Sequence, residues 1–236
     1  VHETDAVGFD ISSNGKFMMS CSSNNDMVIW DLKGQQLERL DTYLMTTHTA
    51  KVSPCGRFVV ATGFAPDVKV MEVCFTKTGE FKQVTKAFEL TGHSSGVYDV
   101  AFDVDTSHIA TISKDGTWKL YHTKIEYTRG ESPHVLETGT YRQTANPPHI
   151  ALSPNAEVLA VSVDSRLINY MKFDASGKYL FVCGDRAVRI LHNVCGYQTT
   201  IASCIRLQGT KQTSATIERQ KKTIEECKQA LAKFGK

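Results

Sequence analysis

The stretch GHSSGVYDVAFDVDTSHIATISKDGTWKLY, Gly92–Tyr121, decides the fold. Tyr98, Val100 and Phe102 alternate with smaller or polar neighbours. A polar turn, DVDTS, separates this run from HIATI, and SKDG separates HIATI from TWKLY. Alternation with period two places successive side chains on opposite faces of an extended strand. Short strands divided by polar turns predict an antiparallel β unit.

The unit recurs. SSNGKFMMSC (12–21), SPCGRFVVAT (53–62), SPNAEVLAVS (153–162) and DASGKYLFVC (174–183) share a polar turn followed by alternating apolar positions, and DVDTSHIATI (103–112) is a weaker copy. Gly15, Gly56, Thr106, Ala156 and Gly177 fall at the equivalent turn position. A second β-rich run follows in MVIWDL, VKVMEV, TWKLYH and AVRILH. Gly15 to Gly56 is 41 residues, and the next two intervals are 50 each. A four-stranded antiparallel sheet with its turns takes roughly 40–45 residues, the period of a propeller blade. The fold expected is therefore all-β, a β-propeller of about four to five blades by that period.

The third copy resembles a WD repeat. It has the Gly92-His93 dipeptide, Thr111 and Ser113 on the second strand, Asp115 at the following turn and Tyr121 where that family has Trp. The resemblance implies a WD40-type propeller, here part of a seven-bladed disc, and a structural network within each blade. Asp115 would accept from His93, His93 from a Ser/Thr hydroxyl, and Tyr121 would close the set. A buried carboxylate is costly unless it is hydrogen-bonded, which is the physical reason for such a set. The first copy retains His2 and Trp30 with Asn24 at the Asp position, the second has Met71, and the last has Asp185 and Leu191.

Composition narrows the function. At 41% hydrophobic and 22% charged residues the chain is globular, and its net charge of +2 argues for neither a nucleic-acid nor a membrane partner. No apolar run is long enough to span a bilayer. Seven cysteines at irregular spacing, with no C-x-x-C, predict reduced thiols and no zinc site. No nucleophile elbow, zincin motif, P-loop or dinucleotide fingerprint occurs. His93 and Asp115 could be cast as an acid–base pair, but their spacing favours the structural network. The reading is thus a non-enzymatic protein with no catalytic residues, cofactor, metal or small-molecule substrate. The chain starts inside a repeat, so a longer protein is expected, with blades and any anchor upstream.

Two features break the pattern. Residues 213–236 carry one apolar stripe, Ile217, Ile224, Cys227, Leu231 and Phe234, with Thr213 or Ser214 as N-cap and Gly235 as stop. This amphipathic helix either docks on the propeller or binds a partner. The domains expected are blades over 1–206 and a helical extension over 207–236. Ala156 to Gly177 is only 21 residues. SRLI reads as the start of one blade's third strand and NYMKFD as the first strand of the next. A segment of roughly 20–30 residues, by the blade period, is expected to be omitted between Ile168 and Asn169.

VSPCGRF, GFAPDVKV and CGDRAVR resemble a transducin β-like branch of the WD-repeat family. That resemblance implies a scaffold at the cytosolic face of the endoplasmic reticulum membrane, held by an N-terminal anchor absent from this sequence. Implied partners are proteins, among them the ER-stress kinase that phosphorylates a translation initiation factor. The alternative is an RNA- or ribosome-binding propeller acting in translational control. Lys114 and Arg186, beside the turns of Asp115 and Asp185, are the partner-binding candidates; each is otherwise a solvated turn residue.

Overall fold

The computed structural model of the chain describes residues 2–163, 168–208, 210 and 212–234. At the five equivalent turn positions the backbone is left-handed: φ is 65° at Gly15, 70° at Gly56, 58° at Thr106, 57° at Ala156 and 69° at Gly177. One backbone geometry thus recurs although glycine occupies only three of the five sites. At four of the five, an oxygen at the head of the turn caps it. The Ser12 hydroxyl accepts from the Phe17 N–H at 3.0 Å, Ser53 from Phe58 at 3.0 Å, Ser153 from Val158 at 2.9 Å and the Asp174 carboxylate from Tyr179 at 2.8 Å.

Around these turns the strands assemble into five sheets. Blade one comprises β1–β4 (Ala6–Ile11, Met18–Ser22, Asp26–Trp30, Gln36–Asp41). Blade two comprises β5–β8 (Thr47–Val52, Phe58–Gly63, Val68–Phe75, Phe81–Leu90), and blade three β9–β12 (Val97–Phe102, His108–Ser113, Thr117–His122, His134–Thr140). Each is a four-stranded antiparallel meander. Then come a two-stranded sheet, β13–β14 (His149–Leu152, Leu159–Ser162), and a three-stranded one, β15–β17 (Ile168–Phe173, Tyr179–Gly184, Ala187–His192).

The first strands stand side by side, β1 by β5, β5 by β9, β9 by β13 and β13 by β15. Apolar layers fill the spaces between blades. Phe17, Met19 and Ile29 meet Val59 and Val73 between blades one and two. Val60 and Val70 meet Ile109 and Tyr121 between two and three, and Ala110 and Ile112 meet Ile150 and Leu152 beyond. Trp118 is half-buried in this last layer. Its indole lies against Gly139, where an added Cβ would come within 2.4 Å of the ring. Polar ties reinforce the layers. Lys51 donates to the buried Asp99 at 2.8 Å, and Asp99 accepts from the Ile150 N–H at 3.1 Å. Burial opposes charge on Asp99, but the Lys51 ammonium, His149 and this N–H outweigh it and hold the carboxyl below its usual range.

The end of the chain departs from the expectation of blades to residue 206 and one helix over 213–236. Strands stop at His192, and two helices follow: α1 (Val194–Gln208) and α2 (Ser214–Ala232). Sequence alternation missed α1 because its Val, Thr and Ile content favours strands. Asn193 overrides that preference: its Oδ1 accepts from the Gly196 N–H at 2.9 Å, an N-cap that starts a helix. Thr213 caps α2 through the Thr216 N–H at 3.3 Å. The two helices pack together; Cys227 is buried, Ser203 donates to Glu157 at 2.8 Å, and Phe234 meets His192 ring to ring at 4.4 Å. Gly235 lies outside the described residues.

Ile168 opens β15, so it belongs to the same sheet as Asn169 and not to a third strand of the preceding blade. The rest of SRLI, residues 165–167, lies outside the described residues. Among the described residues the sheet at 149–162 has no third or fourth strand.

Candidate interaction surface

In blade three, His93 sits in the connection between β8 and β9, Thr111 on β10 and Asp115 in the β10–β11 turn. His93 Nδ1 lies 2.9 Å from Asp115 Oδ2, and Nε2 lies 2.8 Å from the Thr111 hydroxyl. With Asp115 ionised, Nδ1–H donates to it and Thr111 donates to Nε2. Thr117 donates to the other Asp115 oxygen at 2.6 Å, and the Ser94 N–H adds 3.0 Å. Burial works against the Asp115 charge, yet these donors bring its pKa down to about 2. Burial likewise lowers the His93 pKa, against the pull of Asp115. Ser113 holds the loop that carries His93, donating to the Gly96 carbonyl at 2.9 Å. Tyr121 is 1% exposed and donates to the Thr91 carbonyl at 2.9 Å. Burial pushes that phenol up to about 12, so it remains a donor. The His93 side chain is only 1% exposed and both ring nitrogens are engaged, which leaves it nothing to offer a substrate.

Blade one builds the same relay from other positions. Trp30 Nε1–H donates to the Ser20 hydroxyl at 2.8 Å, which lies 2.7 Å from His2 Nε2, while His2 Nδ1 lies 2.6 Å from Asp26. The carboxylate comes from Asp26, at the position of Thr117, and not from the Asp115 position, where Asn24 accepts from Ser22 at 2.6 Å. Asp185 joins no such network. It and Arg186 are exposed, with φ of 51° and 57°, and form the two-residue turn between paired Gly184 and Ala187. Two left-handed residues fit a tight hairpin turn. No His-bearing loop from a complete preceding blade precedes this sheet among the described residues.

The β2–β3, β6–β7 and β10–β11 turns lie at the same sheet ends as the connections between blades. Lys114, in the β10–β11 turn, stands over the Phe64 ring at 5.6 Å, and Lys69 stands over Tyr43 at 5.0 Å. Tyr43 is 75% exposed, Met45 80% and Phe64 53%. The Phe64 N–H donates to the Thr46 carbonyl at 3.0 Å, and Gln143 donates to the Lys114 carbonyl at 2.7 Å. These bonds fix the display. Burial, and then the Lys114 charge, lower the His48 pKa beside it. Tyr43 and Lys69 also rim a groove of about 610 Å³ between blades one and two, floored by Leu40, Val59 and Met71. Arg186 lies in the corresponding β16–β17 turn, on the last sheet.

The profile described as "WD domain, G-beta repeat" matches residues 1–31 and 84–122, the segments that carry the two relays. The chain is a WD-repeat protein. It is 39% identical over 257 residues to human (Homo sapiens) transducin beta-like protein 2 and 38% identical over 256 to the mouse (Mus musculus) protein, in each case across 99% of this chain. The chain spans 58% of the length of these relatives. The human match runs over 257 positions against 236 residues here, at least 21 more than this chain holds. No helix among the described residues is long and apolar enough to cross a membrane.

Sequence reasoning missed Ser20 and Asp26. Ser20 precedes Trp30 by ten residues, as Thr111 precedes Tyr121, so spacing alone could have found it. Tyr43, Phe64 and Lys69 carry no local signal; only the closure of two blades brings them together.

Proposed function

We propose that this WD-repeat chain is a scaffold that binds partner proteins through the blade ends carrying Tyr43, Met45, Phe64, Lys69 and Lys114. The carrying observation is the exposed aromatic and apolar cluster with two lysines, mounted on turns fixed by hydrogen bonds. Such a cluster suits an acidic segment with a large apolar side chain. By resemblance to the transducin β-like branch, the partner is the ER-stress kinase that phosphorylates a translation initiation factor, met at the cytosolic face of the endoplasmic reticulum. Titration of the chain against the kinase's cytosolic domain tests this. Charge reversal in Lys69→Glu/Lys114→Glu is expected to weaken binding at least about fivefold, a coupling of about 1 kcal/mol. Absence of binding by the unaltered chain sinks the assignment of this partner.

The same cluster favours a second reading, since lysines beside exposed aromatics also suit single-stranded RNA. Fluorescence anisotropy with an RNA oligomer, from about 50 mM salt upward, separates the two. Affinity that falls steeply with salt supports RNA; no affinity at the lowest salt removes it.

We also infer that a segment of the fourth blade is omitted from this sequence. The two-stranded β13–β14 sheet and the at least 21 aligned positions of the human relative that have no residue in this chain support this. Two strands of ordinary length with their turns require roughly that many residues. The tryptic peptide LINYMK, Leu167–Lys172, tests it: detection of this peptide in the native protein by mass spectrometry refutes the omission.

A further inference from the structure

Three histidines cross blade three at the ends opposite the candidate interaction surface. His108 on β10 pairs in register with His122 on β11, which pairs with His134 on β12. Register partners share a sheet face. Ile109 and Tyr121 face blade two, so the alternating His108 and His122 turn toward β13–β14. The His108 and His122 ring centroids are 5.5 Å apart, and those of His122 and His134 5.2 Å. Two imidazoles on one tetrahedral zinc, with Zn–N of about 2.0–2.1 Å, place their centroids about 5 Å apart.

The innermost ring is already oriented. His108 Nδ1 lies 2.7 Å from Asp103 Oδ2, which also accepts from Ser107 at 2.7 Å. An Nδ1–H given to a carboxylate leaves Nε2 with its lone pair, the arrangement that supports a metal-binding histidine from behind. Asp103 is 3% exposed and its Oδ1 has no hydrogen-bond partner, so its charge is incompletely compensated. A cation one residue away would complete that compensation. Among the described residues no three His, Cys, Asp or Glu side chains converge on one ready-made centre. The unit is therefore the neighbouring pair, with water filling the other positions.

We propose that His122, paired with His108 and flanked by His134, binds a divalent transition metal of the zinc class, with Asp103 as the positioning residue. Imidazole ligands suit zinc and copper and disfavour calcium and magnesium. Calorimetric titration of the full reduced, tag-free chain with Zn²⁺ tests it. One Zn²⁺ per chain is expected, released again by a chelator. His122→Ala is expected to weaken binding at least about tenfold, and Asp103→Asn about tenfold. His134→Gln, on the exposed outer strand, is expected to weaken it by about threefold with the fold intact by circular dichroism. His192→Ala is expected to leave binding unchanged. Absence of Zn²⁺ binding, or equal affinity in the unaltered chain and in a His122→Ala variant whose fold is intact by circular dichroism, overturns the proposal.

Discussion

Blades one and three hold the same histidine relay with the acid two residues apart. Blade three pairs Asp115 in the turn with Thr117 on the strand; blade one pairs Asn24 in the turn with Asp26 on the strand. What the blade needs is one carboxylate at the histidine Nδ1 and one neutral partner at the other site. The positions are set in space by the turn, not by one point in the sequence. The two relays also differ in depth: the His93 side chain is 1% exposed and His2 13%.

That difference in depth predicts the largest effect. His93→Ala strands the half-buried Asp115 and the buried Thr111 and is expected to cost about 3 kcal/mol. His2→Ala is expected to cost only about 1 kcal/mol, because water reaches its partners. Urea denaturation midpoints decide; equal losses would mean that depth is irrelevant.

Next comes the exchange of acid. Asp115→Asn alone is expected to cost about 2 kcal/mol. Adding Thr117→Asp rebuilds the pattern of blade one and is expected to recover about 1 kcal/mol, read as the interaction energy of a double-mutant cycle. A cycle with no coupling breaks the equivalence of the two blades.

Acid should expose the same relay. Asp115 is held near pKa 2 in the fold, against about 3.9 unfolded. Its stabilisation, about 2 kcal/mol, is present above about pH 4 and is lost as pH falls toward 2. His93, kept neutral by burial below its ordinary 6.5, acts with the same sign: the fold resists its protonation, so stability begins to fall below about pH 6.5. Thermal melts of Asp115→Asn should lack the lower part of this loss; an unchanged acid profile would assign it to other groups.

Smaller effects separate the aromatic ends. Trp30→Phe removes the bond to Ser20 and Tyr121→Phe the bond to Thr91, each expected to cost about 1 kcal/mol. The smallest is a gain. Ala156 bears a left-handed φ of 57° where three of the other four turns have glycine. Ala156→Gly should stabilise by about 0.5–1 kcal/mol in urea, the left-handed penalty less the entropy of glycine.

The contrast also bounds what could be read from residues. The turn positions were legible because five copies repeat one backbone geometry, even where Thr106 and Ala156 replace glycine. The relay of blade three was legible because its acid stands at the expected place. Asp26 was not, since Asn24 occupies the turn position where the resemblance places the acid. Asp185 misled because a carboxylate in a turn looks the same whether or not a histidine loop lies above it. The first helix was hidden by strand-forming residues that a single cap, Asn193, redirects. The surface of Tyr43, Phe64 and Lys114 depends on three blades meeting and has no signature within any one repeat.

The outermost strand β17 has a physical consequence for handling. All six of its residues are exposed; Val188 is 62% and Ile190 59% accessible, and no further strand pairs with it among the described residues. An open, apolar edge is a template for pairing between molecules, and Arg189 is the only charge on it to discourage that. Solubility should therefore be limited at this edge, with concentration-dependent self-association that Val188→Lys relieves.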